Sequence, residues 1–190
     1  MSSETSTTVR RPSGRRGPRV MLSALSTLGS PATSERSDLG GRAPEADDRD
    51  RLPYLTMVLK ESMRIYPSVA TLGRRAAVDT EIGGCRIPAG ADVSSYVTHR
   101  HPAYWDDPET FAPERFTPEA EASRPRYAFF PFGGGPRACI GQRFAMLEAS
   151  LALATLLQWY TLTAIDTTIS LDLGITMCPS GPVRVRLSPR

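Results

Sequence analysis

One ten-residue segment carries the residues best suited to chemistry. Phe132, Gly135, Arg137, Cys139 and Gly141 follow one another in the pattern F-x-x-G-x-R-x-C-x-G. From the composition of the chain, these residues would fall in that order by chance with a probability on the order of 10⁻⁴. The cysteine is the reactive member, because a thiolate is a nucleophile and a metal ligand. The segment is therefore the first candidate for a metal-dependent site.

The sequence around Cys139 favours an ionised sulfur and an open approach to it. Apolar periodicity predicts a helix over residues 140 to 160, with a stripe formed by Phe144, Leu147, Leu151, Ala154 and Leu157. A cysteine just before a helix faces unpaired backbone N–H groups and the positive end of the helix dipole, and both stabilise a thiolate. Glycines at 133 to 135 and at 141 permit a sharp turn and the close approach of a flat ligand.

This segment resembles the heme-binding signature of the cytochrome P450 superfamily at every fixed position. The resemblance implies that Cys139 is the axial ligand of a non-covalently bound heme b. It further implies that Arg137 binds a heme propionate and that Phe132 lies beside the sulfur and excludes water. Gly135 and Gly141 would leave room for the macrocycle.

Other interpretations of the cysteines remain open on the residues alone. A lone intracellular cysteine is most often a buried free thiol. A c-type heme attachment would need a C-x-x-C-H motif, which the sequence lacks. A zinc site is unsupported, because the ligand spacing is missing from Cys85, Cys178, His99 and His101.

A pair of charged residues extends the resemblance toward the N-terminus. Glu61 and Arg64 are three positions apart and share one face of a predicted helix over residues 53 to 66, a spacing that by itself is typical of a surface ion pair. The segment from Phe111 to Phe116 resembles the family segment that supplies a second arginine, here Arg115. The resemblance implies a three-residue network that fixes the irregular segment beneath the heme.

The strand predicted after this helix supplies a second candidate for the propionates. Leu72 to Arg75 resembles the family strand that places an arginine on a heme propionate, which implies Arg74, with Arg75 as the alternative. A solvated strand arginine is the plain interpretation of the same residues. Residues 68 to 72 and 176 to 178 match family positions that line the substrate pocket. His99 and Arg100 match the family's H-R pair, to which we assign no role.

The predicted elements give the fold class. Besides the two helices, Gly83-Gly84 between short apolar runs predicts a hairpin within a small mixed sheet formed by residues 68 to 96 and the C-terminus. Five prolines between residues 99 and 126 predict a long ordered coil. The fold is expected to be mostly α with small β-sheets, an α+β arrangement that forms an incomplete C-terminal part of the cytochrome P450 fold.

The 190 residues divide into two parts by composition. Residues 1 to 38 are rich in Ser, Thr, Arg, Pro and Gly, which predicts a disordered tail. The resemblance covers residues 39 to 190, the heme-binding part, and the run from 39 to 44 looks bacterial in style. The tail carries five arginines between residues 10 and 19 but no aromatic side chains or helical pattern among them. Nucleic-acid binding is therefore not expected.

Composition also indicates the cellular setting. Three widely spaced cysteines are a poor disulfide framework, which favours a reducing cytoplasmic location. No stretch reaches the roughly 18 to 20 apolar residues of a membrane span. The resemblance implies a small organic substrate and a ferredoxin or similar redox partner with an NAD(P)H reductase.

Two functions of different kinds follow from the resemblance. The first is that of the family: O₂ activation at a thiolate-ligated heme and insertion of one oxygen atom into an organic substrate. The second is a truncated, catalytically inactive fragment that at most binds heme, because family members are more than twice this long. A basic adaptor that binds nucleic acid through its tail is a third interpretation, which nothing in the sequence demands.

Overall fold

The computed structural model describes residues 39–72, 74–93, 97–166, 168–174 and 176–190. The predicted tail, residues 1 to 38, lies outside the described residues, as do positions 94 to 96 of the predicted sheet region. Helices and short strands occupy separate stretches of the described chain, as expected for the predicted α+β class. The α-helices are α1 (Pro53–Ile65), α2 (Pro118–Ala122) and α3 (Gln142–Trp159), and short 3₁₀ helices lie at Ala46–Arg51, Thr98–Arg100, Pro113–Phe116 and Gly135–Arg137.

Prolines set both ends of α1. Pro53 occupies the first helical position, where its missing N–H group would have had no intrahelical partner. Pro67 disfavours helical backbone at Tyr66, which has φ −126° and ψ 68° and ends the helix. The predicted helix is therefore confirmed with one residue less at its C-terminal end.

The strands form small antiparallel ribbons. The predicted hairpin is confirmed, since Gly83 and Gly84 have φ of +58° and +78° and join two strands directly. The prediction of a mixed sheet is wrong, because the described strands form separate two-stranded sheets and every one of these is antiparallel. The pairs are β1 (Arg74–Arg75) with β4 (Asp92–Val93), β2 (Thr80–Ile82) with β3 (Cys85–Ile87), β5 (Tyr160–Ala164) with β8 (Val185–Pro189), and β6 (Leu171–Leu173) with β7 (Met177–Pro179). The two-residue turn between β2 and β3 permits only antiparallel pairing.

The main core lies between α1 and α3. Leu55, Val58 and Ile65 of α1 are buried in one cluster with Ala154 and Leu157 of α3. A second cluster is formed within the long coil by Trp105, Phe116 and Ala128. The coil thus has a core of its own, which explains how so proline-rich a segment stays ordered.

The buried stripe of α3 differs from the predicted one. Phe144 was expected to be buried, but 70% of its surface is exposed, whereas Met146 and Ser150 are buried beside Ala154 and Leu157. Ser150 is tolerated there because its hydroxyl donates a hydrogen bond to the carbonyl of Met146 at 2.7 Å. Ala154 and Leu157 on this face pack in one cluster with residues of α1, a partnership that apolar periodicity alone did not reveal. None of the described helices is long and apolar enough to cross a membrane.

Candidate active site around Cys139

Backbone hydrogen bonds close the loop that ends at Cys139. The amide of Gly133 donates to the carbonyl of Phe130, and the amide of Cys139 donates to the carbonyl of Phe132, both at 2.9 Å. Gly133 and Gly135 have φ of +75° and +68°, which other residues adopt only with strain. The glycine run is therefore required by the shape of the loop.

Cys139 lies three residues ahead of α3, with Gly141 at the N-cap. Its side chain is exposed and is not part of a disulfide. A Cβ atom added to Gly141 would stand 3.8 Å from the Cys139 sulfur, so the absence of a side chain there keeps this approach open. The predicted position of the sulfur, at the mouth of the last long helix, is thus the observed one.

The cysteine opens into a cavity of about 810 Å³. Four of the six predicted site residues line it together: Arg74, Phe132, Arg137 and Cys139. The rest of the wall is mainly apolar and comes from both long helices and the C-terminal ribbons, for example Leu59, Met63, Val69, Ala149, Leu153 and Met177. Its volume lies in the range of small-molecule and cofactor sites.

This set of groups fits the cofactor that the sequence implied. A flat apolar macrocycle with an iron ligand on one side and two carboxylates at its edge needs an apolar cavity, a thiolate and cationic groups. The cavity offers an accessible sulfur, two guanidinium groups and apolar walls. The donor set therefore suits a heme, and no described group in the cavity contradicts it.

The structure separates the two candidate arginines of β1. Arg74 lines the cavity, whereas Arg75 pairs with Asp92 across the ribbon, at 3.2 Å and 3.4 Å between guanidinium nitrogens and carboxylate oxygens. This pairing raises the pKa of Arg75, chiefly through the side-chain hydrogen bond. Of the pair, Arg74 is the one placed to meet a ligand.

Gly135 and Gly141 stand apart from the other four residues. Gly135 lines a second cavity of about 500 Å³, and Phe132 lines this cavity too. Gly141 acts through its lack of a side chain beside the sulfur. Of the segments expected at the substrate pocket, Ser68, Val69 and Leu72 line the larger cavity, as does Met177.

The predicted network of Glu61, Arg64 and Arg115 is present and buried. The side chains of Glu61 and Arg64 are 0% exposed, and two hydrogen bonds of 2.7 Å and 2.8 Å join them. The Arg115 Nε atom is 3.6 Å from the nearer Glu61 oxygen. Glu61 also accepts a hydrogen bond from the amide of Ala112 at 2.9 Å.

The network anchors the coil through carbonyl groups. Arg64 donates to the carbonyls of His99, Pro108 and Thr110 at 2.8 to 3.2 Å. Arg115 donates to the carbonyl of Asp107 at 3.0 Å. Carbonyls that would be paired with amides in a sheet are thus paired with guanidinium groups, which explains why arginines are needed here.

Sequence reasoning missed the role of one buried side chain. His99 is 0% exposed, and its Nε2 atom accepts a hydrogen bond from the amide of Phe130 at 3.0 Å. Burial lowers the pKa of His99 to about 4, helped by the positive charges of Arg64 and Arg100. The sequence shows the pair His99-Arg100, but Phe130, whose amide binds the His99 ring, lies 31 positions away. No local signal could have shown the contact.

Comparisons with known proteins agree with this geometry. Residues 35–182 match the family model described as Cytochrome P450. The chain is 41% identical over 153 residues to a probable cytochrome P450 4aa1 of Drosophila melanogaster, covering 78% of this chain and 30% of that protein. It is 40% identical over 144 residues to thromboxane-A synthase of Sus scrofa, covering 73% of this chain and 27% of that protein.

A solved structure shares the fold. The crystal structure of the cytochrome P450DA heme domain superposes with a TM-score of 0.79 at 31% identity, covering 90% of this chain and 40% of that chain. The chain thus spans about 30% of the length of the curated relatives named above. The loop around Cys139, the buried arginine network and these matches together place the chain in the cytochrome P450 family.

Proposed function

We propose that this chain carries the heme-thiolate centre of a monooxygenase. Cys139 would ligate the iron of a heme b, and the guanidinium groups of Arg74 and Arg137 would bind its propionates. When bound, the heme supplies the chemistry of the family, the reductive splitting of O₂ with insertion of one oxygen atom into an organic substrate. The strongest support for this proposal is that Cys139, Arg74 and Arg137 line one and the same apolar cavity.

The chain's own residues would each hold one part of the site. Phe132 lines the cavity beside the cysteine loop and would keep water from the sulfur. Gly135 permits the loop conformation, and Gly141 leaves one side of the sulfur uncovered. The apolar walls would accept a small organic substrate, which they would hold by excluding water.

Electrons would come from a ferredoxin or similar redox partner with an NAD(P)H reductase, in a cytoplasmic setting. The free state of Cys85, Cys139 and Cys178 agrees with a reducing compartment. The division into a tail at residues 1 to 38 and a heme-binding part at 39 to 190 also remains a prediction. So does the bacterial style of residues 39 to 44.

The reduced carbon monoxide difference spectrum tests the heme proposal. The purified chain is loaded with hemin, reduced and exposed to carbon monoxide. A red-shifted Soret band of the thiolate type is expected. A band at the shorter wavelength typical of a nitrogen or weak ligand, or no heme uptake, would refute ligation by a thiolate.

A second candidate is a catalytically inactive protein that at most binds heme. Ile140 is fully exposed and Phe144 is 70% exposed, so the start of α3 carries apolar surface that no described residue covers. NAD(P)H consumption that depends on both substrate and a surrogate ferredoxin separates the two candidates. Turnover by heme-loaded protein supports the monooxygenase, whereas a thiolate-type spectrum without turnover supports the inactive heme-binding protein.

A further inference from the structure

His99 connects two parts of the molecule that are far apart in sequence. Its backbone carbonyl accepts a hydrogen bond from Arg64 at 3.0 Å, inside the buried arginine network. Its ring nitrogen Nε2 accepts the amide hydrogen of Phe130 at 3.0 Å, nine residues before Cys139. The ring also packs against Phe129 and Phe130, with centroids 5.4 Å and 5.3 Å apart.

The contact fixes the tautomer of the ring. Because Nε2 is the acceptor, the proton of the neutral imidazole must reside on Nδ1. The charged groups that face the ring, the guanidinium groups of Arg64 and Arg100, both oppose protonation, as does burial. The ring therefore stays a neutral acceptor at neutral pH.

Phe130 is the point where the cysteine loop begins. Its carbonyl accepts the amide of Gly133, and the carbonyl of Phe132 accepts the amide of Cys139, each at 2.9 Å. The imidazole thus binds the start of a loop that two backbone hydrogen bonds close, and the second of these bonds comes from the amide of the cysteine itself. A shift at Phe130 would be passed through these hydrogen bonds to the sulfur.

We propose that His99 is a positioning residue. Its Nε2 atom binds the cysteine loop, its carbonyl binds the Glu61–Arg64 network, and together these contacts fix the position of the Cys139 sulfur. The inference rests on the proposed heme-thiolate function for its consequence. Its geometric part, the hydrogen bond to Phe130, can be measured without heme.

Three substitutions at one position test the acceptor. His99→Phe keeps a ring of similar shape but removes the acceptor, so we expect the thiolate-type carbon monoxide band to weaken in favour of the shorter-wavelength band. Amide hydrogen exchange at Phe130 should speed up about tenfold, since a buried hydrogen bond is lost. His99→Gln places an amide oxygen near the former Nε2 and should restore both signals. His99→Asn places its oxygen near Nδ1 and should not.

His101 offers the matched control. Its Nδ1 atom accepts the amide of Ala103 at 3.1 Å, but the residue is exposed and lies on the outside of the coil. His101→Phe should therefore leave the carbon monoxide band and the Phe130 exchange rate as in the unmodified protein. Equal effects at both positions would overturn the proposal.

The unmodified protein provides a measurement that does not depend on any variant folding. Nitrogen-15 chemical shifts of the His99 ring should show a protonated Nδ1 and an unprotonated Nε2, and the opposite tautomer would overturn the proposal. So would His99→Phe or His99→Asn protein with an unchanged band and unchanged Phe130 exchange. Absence of the thiolate band in unmodified protein would instead refute the proposed function, while the tautomer and the exchange rate would still decide whether His99 holds the loop.

Discussion

Removal of the Arg64 side chain should destabilise the fold severely. In Arg64→Ala, the buried carboxylate of Glu61 loses its bidentate partner and keeps only the Arg115 guanidinium, whose Nε atom lies 3.6 Å away, beyond hydrogen-bond distance. Breaking a buried ion pair by removing one partner costs roughly 3 to 5 kcal/mol. Three coil carbonyls also lose their donor, each at about 1 to 3 kcal/mol where water cannot reach them.

These losses are comparable with the whole stability of an ordinary domain, which is about 5 to 15 kcal/mol. Urea unfolding followed by far-ultraviolet circular dichroism and tryptophan fluorescence measures them. Trp105 is a suitable reporter, because it is buried and its ring lies 5.0 Å from the Arg64 guanidinium carbon. Because these losses sum to at least about 6 kcal/mol and the slope is about 1 to 3 kcal/mol per molar urea, the midpoint should fall by about 2 M or more.

A matched control uses an ion pair at the surface. Arg86 and Asp79 are 2.7 Å apart, but their side chains are 79% and 55% exposed. Arg86→Ala should leave the urea midpoint unchanged, since exposed pairs contribute little. Arg64→Ala protein that is soluble, retains heme and unfolds at the midpoint of the unmodified protein would refute the structural role of the network.

Three further predictions follow from the site. The free energy of unfolding should decline as pH falls from about 6.5 to about 4, because His99 then takes up a proton in the unfolded chain but not in the folded one. The loss due to His99 reaches about 3 kcal/mol at pH 4. Urea titrations across this range should show that this loss is missing from His99→Gln. Gly133→Ala should cost about 1 to 2 kcal/mol in the same assay, because φ of +75° strains an L-residue, and an unchanged midpoint would contradict this. Arg74→Ala and Arg137→Ala should each weaken heme retention in competition with apomyoglobin, whereas Arg75→Ala should not, and equal loss in all three would argue against specific propionate contacts.

Local signals in the sequence were sufficient for the elements near the site. Pro53 and Pro67 bracket α1, and Gly83-Gly84 form the hairpin turn, because each of these residues restricts its own backbone. The same holds for the cysteine loop, where glycines at positive φ reveal a sharp turn. Spacing alone placed Cys139 ahead of the last long helix, where the structure has it.

Contacts between distant segments were beyond such reasoning. Glu61 and Arg64 have the spacing of a surface pair, and only the carbonyls of the coil make them a buried anchor. Phe144 is apolar at a position where periodicity predicts burial, yet the buried stripe runs through Ser150, Ala154 and Leu157, because the neighbour that packs there comes from a distant part of the chain. The hydrogen bond from Phe130 to His99 depends on the same tertiary packing.

Substitution of the proposed iron ligand tests the account most directly. Cys139→Ser removes the sulfur that lines the cavity, and Cys85→Ser, on the hairpin strand β3, serves as the control that removes another exposed thiol. After loading with hemin, reduction and addition of carbon monoxide, the Cys85→Ser protein should show the red-shifted thiolate-type Soret band of the unmodified chain. Cys139→Ser should lack it entirely. A thiolate-type band that persists in Cys139→Ser would contradict the assignment of Cys139 as the iron ligand.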